Sequence, residues 1–212
     1  MNLVLDFGNT RIKAGLFEKD ILKKTLVEFD MLEIISALKN FQIDKIFVAS
    51  VVELHMETIK EIEKIGNPIF FNATTPTPIS NFYQSVNTLG SDRLAAVCGA
   101  YQLFKGSAFL VIDAGTCIKY NYTDKNGNFI GGGISPGLAM RFKAMNKFTD
   151  KLPLIAFDEN YHDLIGNNTQ SSIRMGAQLG MIAEVGGIIE LYKQMDASIN
   201  IVLTGGDAAF LQ

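Results

Sequence analysis

Two stretches of the chain join a carboxylate to glycine and small hydroxyl residues at spacings suited to a polyphosphate. One is LVLDFGNTRIK, residues 3 to 13; the other is LVIDAGTCIK, residues 110 to 119. In each, an apolar run ends in an aspartate, Asp6 or Asp113. A turn follows, built from Gly8, Asn9 and Thr10 in the first and from Gly115 and Thr116 in the second. Ile-Lys then closes both, as Ile12 and Lys13 and as Ile118 and Lys119. Such turns present backbone N–H groups to phosphate oxygens. Lys13 adds a point charge. Asp6 suits Mg²⁺ held through water, because that ion sheds its hydration shell reluctantly and takes few protein carboxylates. A third turn, Gly205 and Gly206, precedes a segment expected to open a helix, whose N-terminus favours an anion. The sequence GxxxxGK(S/T) occurs nowhere, so a P-loop is excluded. Read singly, Asp6 caps its own turn and Gly8 supplies a positive φ; three such strand ends in one chain point instead to phosphate.

A second constellation is Gly90-Ser91-Asp92-Arg93 at the start of an expected helix. Two readings stand. Ser91 or Asp92 is an N-cap, or Arg93 uses its planar fork on a substrate carboxylate while Asp92 takes a proton from a hydroxyl nucleophile. In the second reading the preceding polar segment, with Tyr83, helps cover the substrate. Cys98 and Cys117 have no metal-ligand spacing and read as buried thiols of a reducing compartment. His55 and His162 are far apart in polar surroundings and suggest no site.

These groups need a layered scaffold. Strands are expected at 2 to 6, 11 to 17, 21 to 29 and 45 to 50, with helices at 31 to 39, capped by Asp30 and carrying Leu32, Ile35 and Leu38 on one face, and at about 53 to 65, with Ile59, Ile62 and Ile65. Such alternation indicates α/β architecture. Residues 72 to 90, rich in Thr, Ser, Asn and Pro, read as a long surface loop. A helix over 91 to 104 leads to a buried strand, 108 to 116, then a strand at 117 to 123, a helix after Pro136, and a long helix over 171 to 194. Gly176, Gly180, Gly186 and Gly187 weaken that helix by about 1 kcal/mol each and suggest close approach of another backbone. A strand at the start of residues 200 to 212 ends at the Gly-Gly turn. Asp6 and Asp113 lie about half a chain apart, so an internal duplication is expected: two similar α/β units, 1 to 106 and 107 to 212, each presenting an acidic strand end into one cleft.

Composition closes off other classes. Net charge is −3 with no basic run, which disfavours nucleic acid. Hydrophobic residues are 48% and charged residues 19%, as in ordinary globular chains. Asp6, Arg11 and Lys13 interrupt the first apolar residues, so no signal peptide is expected, and no apolar run approaches the roughly 20 residues of a membrane span.

The motifs DFGNTRIK (6–13), GSDR (90–93), DAGT (113–116), GGGISPG (131–137), GNNT (166–169) and TGG (204–206), in this order, resemble those of type III pantothenate kinases, in the superfamily of acetate and sugar kinases, heat-shock ATPases and actin. The resemblance implies two duplicated ribonuclease-H-like domains flanking a nucleotide cleft, and ATP-dependent phosphorylation of pantothenate in a cytoplasmic homodimer. It implies that Asp6, Phe7, Gly8, Asn9, Thr10, Arg11, Ile12 and Lys13 bind the ATP phosphates and that Thr116 contacts ATP. It implies that Tyr83, Gly90, Ser91, Asp92 and Arg93 bind pantothenate, with Asp92 the proton acceptor. Thr169 matches a pantothenate contact near the dimer interface, and Asp113 a position associated with a monovalent cation, K⁺ or NH₄⁺. One departure stands out. Where the family often reads Asp-x-Gly-Thr-x-x-Thr-x-Asp, this chain has Lys119 and Asn121 at the last two named places. A lysine there suggests weaker dependence on an added cation, or simply a solvated strand residue. Another small-molecule kinase or phosphatase of the superfamily, or a regulator with this fold and no chemistry, are the alternative readings.

Overall fold

In the computed structural model, which describes residues 1–212, β1 (Asn2–Phe7) alternates in burial. Leu3, Leu5 and Phe7 are buried, whereas Val4 and Asp6 lie on the opposite, more open face. The apolar run therefore buries one face, and Asp6 keeps its charge partly hydrated. The chain forms two compact units, Met1–Thr77 with Gln84–Ala95, and Pro78–Tyr83 with Ala96–Gln212.

The first unit is a five-stranded sheet in the order β3-β2-β1-β4-β5. The strands after β1 are β2 (Ile12–Glu18), β3 (Ile21–Glu28), β4 (Lys45–Ser50) and β5 (Pro68–Phe71). β1 is antiparallel to β2 and parallel to β4. α1 (Met31–Leu38) and α2 (Met56–Ile65) supply Ile34, Leu38 and Ile62 to a core with Leu3, Leu5 and Ile46. Each such side chain contributes roughly 1.5–3 kcal/mol on burial. The Asp30 side chain accepts the Leu32 N–H at 2.9 Å, so the expected cap forms. Of the expected face, Leu38 is buried and Ile35 packs against the core, but Leu32 is exposed, and Met31 and Ile34 are buried as well. Residues at i, i+3 and i+7 share a face, and Met31 begins this one.

Residues 72 to 90 are anchored, not simply a surface loop. Ser80–Asn81 (β6) joins the sheet of the second unit, Val86–Thr88 makes one 3₁₀ turn, and Ile79 and Leu89 are buried. α3 (Ser91–Leu103) follows, and the boundary between the two compact units falls within it, after Ala95.

The second unit carries β7 (Phe109–Ala114), β8 (Cys117–Thr123), β9 (Asn128–Gly131), β10 (Ile134–Pro136), α4 (Leu138–Lys147), α5 (Thr169–Arg174), α6 (Gly180–Met195) and β11 (Asn200–Thr204). Its sheet runs β11-β7-β8-β9-β6, with β10 on β8. β7 is antiparallel to β8, β8 to β9, and β7 is parallel to β11. The quartet β9-β8-β7-β11 repeats the order and senses of β3-β2-β1-β4. The duplication is thus a repeat of topology, and its register is equally telling: Asp6 sits opposite Lys13, and Asp113 opposite Lys119.

The helix expected after Pro136 begins at Leu138, with Pro136 ending β10 rather than opening the first helical turn. Two expectations are corrected here. The helix over 171 to 194 is interrupted by a π turn at Met175–Leu179. That turn carries the buried Gln178, whose Nε2 donates to Asp158 O at 2.8 Å and whose Oε1 accepts from Asp158 N at 3.2 Å. The glycines of this helix admit no close backbone within the chain, since a Cβ at Gly176, Gly180, Gly186 or Gly187 would meet nothing within 4 Å.

Candidate active site

In the first unit the hairpin turn after β1 is closed by Gly8 N–H donating to Arg11 O at 3.1 Å. A Cβ on Gly8 would lie 3.2 Å from that same oxygen, which is why a glycine fits. Asn9, Thr10 and Arg11 are exposed on the turn, and the Arg11 guanidinium rests 4.1 Å from the centre of the Phe29 ring. Lys13 Nζ lies 3.9 Å from Asp6 Oδ2, both side chains partly open to water. Phe7 is buried and Ile12 packs against the core, so these two shape the turn.

The start of α3 is tied to this same strand end. Ser50 is the register partner of Phe7, one residue beyond Asp6. Ser91 Oγ donates to Ser50 O at 2.9 Å and accepts from Ser50 N at 3.2 Å. Ser91 is therefore no N-cap; its hydroxyl clamps the helix to β4. Asp92 Oδ1 accepts the Arg93 N–H at 2.8 Å, so a first-turn amide orients the carboxylate. A Cβ on Gly90 would come 2.4 Å from that Oδ1, so glycine leaves the carboxylate its place. Arg93 is buried, at 4% exposure. A guanidinium so enclosed has few rotamers left, which suits a fixed bidentate partner.

In the second unit three motifs converge on one backbone knot. Gly115 N–H donates to Cys117 O at 3.1 Å, making a tight turn that leaves Thr116 exposed. Gly137 N–H donates to Thr116 O at 3.1 Å, and Asp207 N–H to Ala114 O at 2.9 Å. A Cβ on Gly137 would fall 1.9 Å from Gly115 O, and one on Gly205 2.2 Å from Ala114 O. DAGT, SPG and TGG are thus packed backbone to backbone. The helix expected after Gly206 is only a 3₁₀ turn, Ala208–Leu211. The helix N-terminus beside the knot is that of α4, and the Asp207 carboxylate accepts a hydrogen bond from its Leu138 amide. Burial pushes the Asp207 carboxyl up, and that hydrogen bond opposes the shift. A cavity of about 910 Å³ opens beside Gly206 and Asp207, lined by Phe142, Ile155, Phe157 and Phe210 among others.

Asp113 Oδ2 lies 2.9 Å from Lys119 Nζ, with both side chains less than a quarter exposed. Tyr83 belongs to the second unit, where its ring stacks on Phe129 at a centroid distance of 6.1 Å. Thr169 is exposed as the first residue of α5, whose Asn168 and Ser171 form a reciprocal capping box. His55 and His162 are exposed, and Cys98 and Cys117 are half-buried, less enclosed than their apolar neighbours suggest. No cluster of three His, Cys, Asp or Glu side chains forms.

Sequence reasoning missed Glu184. It accepts hydrogen bonds from Arg141, Ser135 and Tyr120, joining α6 to β8, β10 and α4 around the GGGISPG segment. Its one sequence signal is a lone acid in the apolar run GMIAEVGGII. Burial raises its carboxyl, but the hydrogen bonds from Arg141, Ser135 and Tyr120 outweigh burial and hold it below its ordinary value. Burial, then the Glu184 charge, pushes the Tyr120 hydroxyl up. Glu184→Gln is expected to destabilise the chain by about 2 kcal/mol, the scale of hydrogen bonds to a charged group. Because the folded-state value is depressed, this stabilisation is present above the ordinary pKa of 4.5 and is lost as pH falls through the lower folded value. Thermal unfolding across acid pH should show the wild-type advantage disappearing there.

No helix is long and apolar enough to cross a membrane. The family model described as type III pantothenate kinase matches residues 2–191. A curated relative of that name from Flavobacterium johnsoniae is 40% identical over all of this chain and 88% of its own length. A Campylobacter jejuni crystal structure, described under a Baf family transcriptional activator name, is 28% identical with a TM-score of 0.61, covering 99% of this chain and 85% of that one. The actin-like fold itself is shared with MreB5 of Spiroplasma citri, at 13% identity, a TM-score of 0.52, and coverage of 99% and 85% of the two chains. With the repeated β-topology, two acid-tipped hairpins and a match across most of its length, the chain belongs to the type III pantothenate kinase family.

Proposed function

We propose that this chain transfers the γ-phosphate of ATP to the primary hydroxyl of pantothenate, giving 4′-phosphopantothenate, the first step of coenzyme A biosynthesis. The supporting observation is the clamp of Ser91 on Ser50, which fixes Asp92 near the strand end that carries Asp6.

Asp92 is the proton acceptor for the pantothenate hydroxyl. Arg93, with Gly90 and Ser91, receives the pantothenate carboxylate, and Tyr83 and Thr169 complete the substrate contacts. The turn from Asp6 to Lys13, with Thr116, receives the ATP phosphates, and the apolar cavity beside Gly206 receives the nucleoside. Phosphoryl transfer depends mainly on such positioning and charge stabilisation. Asp6, partly exposed and outside any cluster of acids, fits Mg²⁺ held through water; bound there, the ion would screen the phosphate charge. Asp113 is the residue the family resemblance assigns to a monovalent cation. The duplicated halves, 1 to 106 and 107 to 212, act together in a cytoplasmic homodimer.

Incubation with ATP, Mg²⁺, K⁺ and pantothenate, followed by mass detection of the product, tests this reading. Phosphorylated pantothenate with matching ADP is the expected result. ADP release with a different acceptor would identify another kinase. Phosphate release from a supplied phosphoester would identify a phosphatase. Binding without turnover would favour a regulator, the class named for the Campylobacter protein.

A further inference from the structure

The duplication places a lysine opposite the acid in both hairpins, but the two pairs differ. Lys13 stands 3.9 Å from Asp6 with its side chain 55% exposed, whereas Lys119 stands 2.9 Å from Asp113 with its side chain 23% exposed. The first pair is loose enough for Lys13 to serve a phosphate. The second is a direct charge-assisted hydrogen bond, fixed by cross-strand register between β7 and β8. An ammonium group at hydrogen-bond distance already offers Asp113 what K⁺ or NH₄⁺ would offer it, one positive charge of similar size. A second monovalent cation on the same carboxylate would be repelled by the first. The residues present therefore do not fit an added cation at Asp113.

Resting on the kinase reading above, we propose that the Lys119 ammonium is the built-in monovalent cation of the Asp113 site, so that this enzyme needs no added K⁺ or NH₄⁺. The amine is tethered, so it is present at every turnover, and its bond to Asp113 replaces selection among dissolved cations.

The test compares wild type, Lys119→Thr and Lys119→Met in potassium, sodium and choline chloride at equal ionic strength, by turnover and by melting temperature. Wild-type turnover is expected to change by no more than about twofold among the salts. Lys119→Thr, which removes the ammonium and adds an oxygen, is expected to gain about tenfold from potassium over choline, the scale of a typical coupling between ligand sites. Its melting temperature should rise specifically with potassium, and that rise should vanish in Asp113→Asn/Lys119→Thr. Lys119→Met should lose turnover in every salt. A wild-type enzyme that turns over only with K⁺ or NH₄⁺, or that is specifically stabilised by K⁺, overturns the proposal, even if the variants do not fold. Should pantothenate not be phosphorylated in any salt, the kinase reading fails, while the melting curves still report whether K⁺ binds beside Asp113.

Discussion

Asp92→Asn is expected to preserve the fold and ATP affinity and to lower turnover about 10²–10⁴-fold, the usual contribution of a general base. The substitution is nearly isosteric. The amide oxygen can still accept the Arg93 N–H that now orients Oδ1 at 2.8 Å, and Ser91 still ties α3 to Ser50. What disappears is the basic oxygen. The Michaelis constant for pantothenate should move little, because in the proposed arrangement Arg93 and the loop groups, not Asp92, would hold the carboxylate end of the substrate. A loss confined to kcat thus identifies proton transfer, whereas a matching rise in KM would recast Asp92 as a binding group. Turnover close to wild type would remove the base assignment outright. Gly90→Ala offers a complementary measurement, since its Cβ would press 2.4 Å from the Asp92 carboxylate and must displace it. A carboxylate pushed from its productive position should also lose turnover, without the amide replacement.

The fold was legible where periodicity and repetition coincide. The two Leu-Val-x-Asp-x-Gly stretches became β1 and β7 with equivalent neighbours, because one topology accommodates both apolar patterns. The Asp30 cap was readable because capping is local. Features set by packing between distant segments were not. The clamp of Ser91 on Ser50 spans 41 residues of chain. Local pattern could only offer Ser91 as an N-cap. The Glu184 network joins residues from four elements, and no spacing in the sequence links Arg141 to Glu184. The π turn that aims Gln178 at Asp158 is similarly invisible, since its justification is the amide pair at residue 158. In α1 only Leu32 was misplaced, because several apolar residues compete and the sheet beneath decides which are covered. The lysine at position 119 was visible as an odd residue in a familiar motif, but only its register opposite Asp113 gave it a partner.

Gly205→Ala is expected to destabilise the chain by about 3–5 kcal/mol, combining a backbone conformation that L side chains rarely adopt with overpacking against another strand. The first term follows from φ of +99° at Gly205. The second follows from the added Cβ, which would lie 2.2 Å from Ala114 O and 2.7 Å from Ala114 N, atoms of a central strand that cannot rotate away. Moving Ala114 would also break the 2.9 Å hydrogen bond from Asp207 N–H and disturb the turn through Gly115, on which Gly137 leans. The neighbouring Gly206→Ala is the control, because its Cβ would meet nothing within 4 Å. It should melt within about 0.5 kcal/mol of wild type, the usual span for an open surface position. The contrast matters for function, since the three glycine motifs serve the proposed nucleotide site only if they share one rigid knot. Against a total stability of about 5–15 kcal/mol, the Gly205 loss should appear as a large fall in melting temperature and a weaker apparent ATP affinity through the unfolded fraction. If Gly205→Ala melts with the wild type, β7 and the TGG turn do not approach as closely as described, and the common origin of the three motifs in one site fails with them.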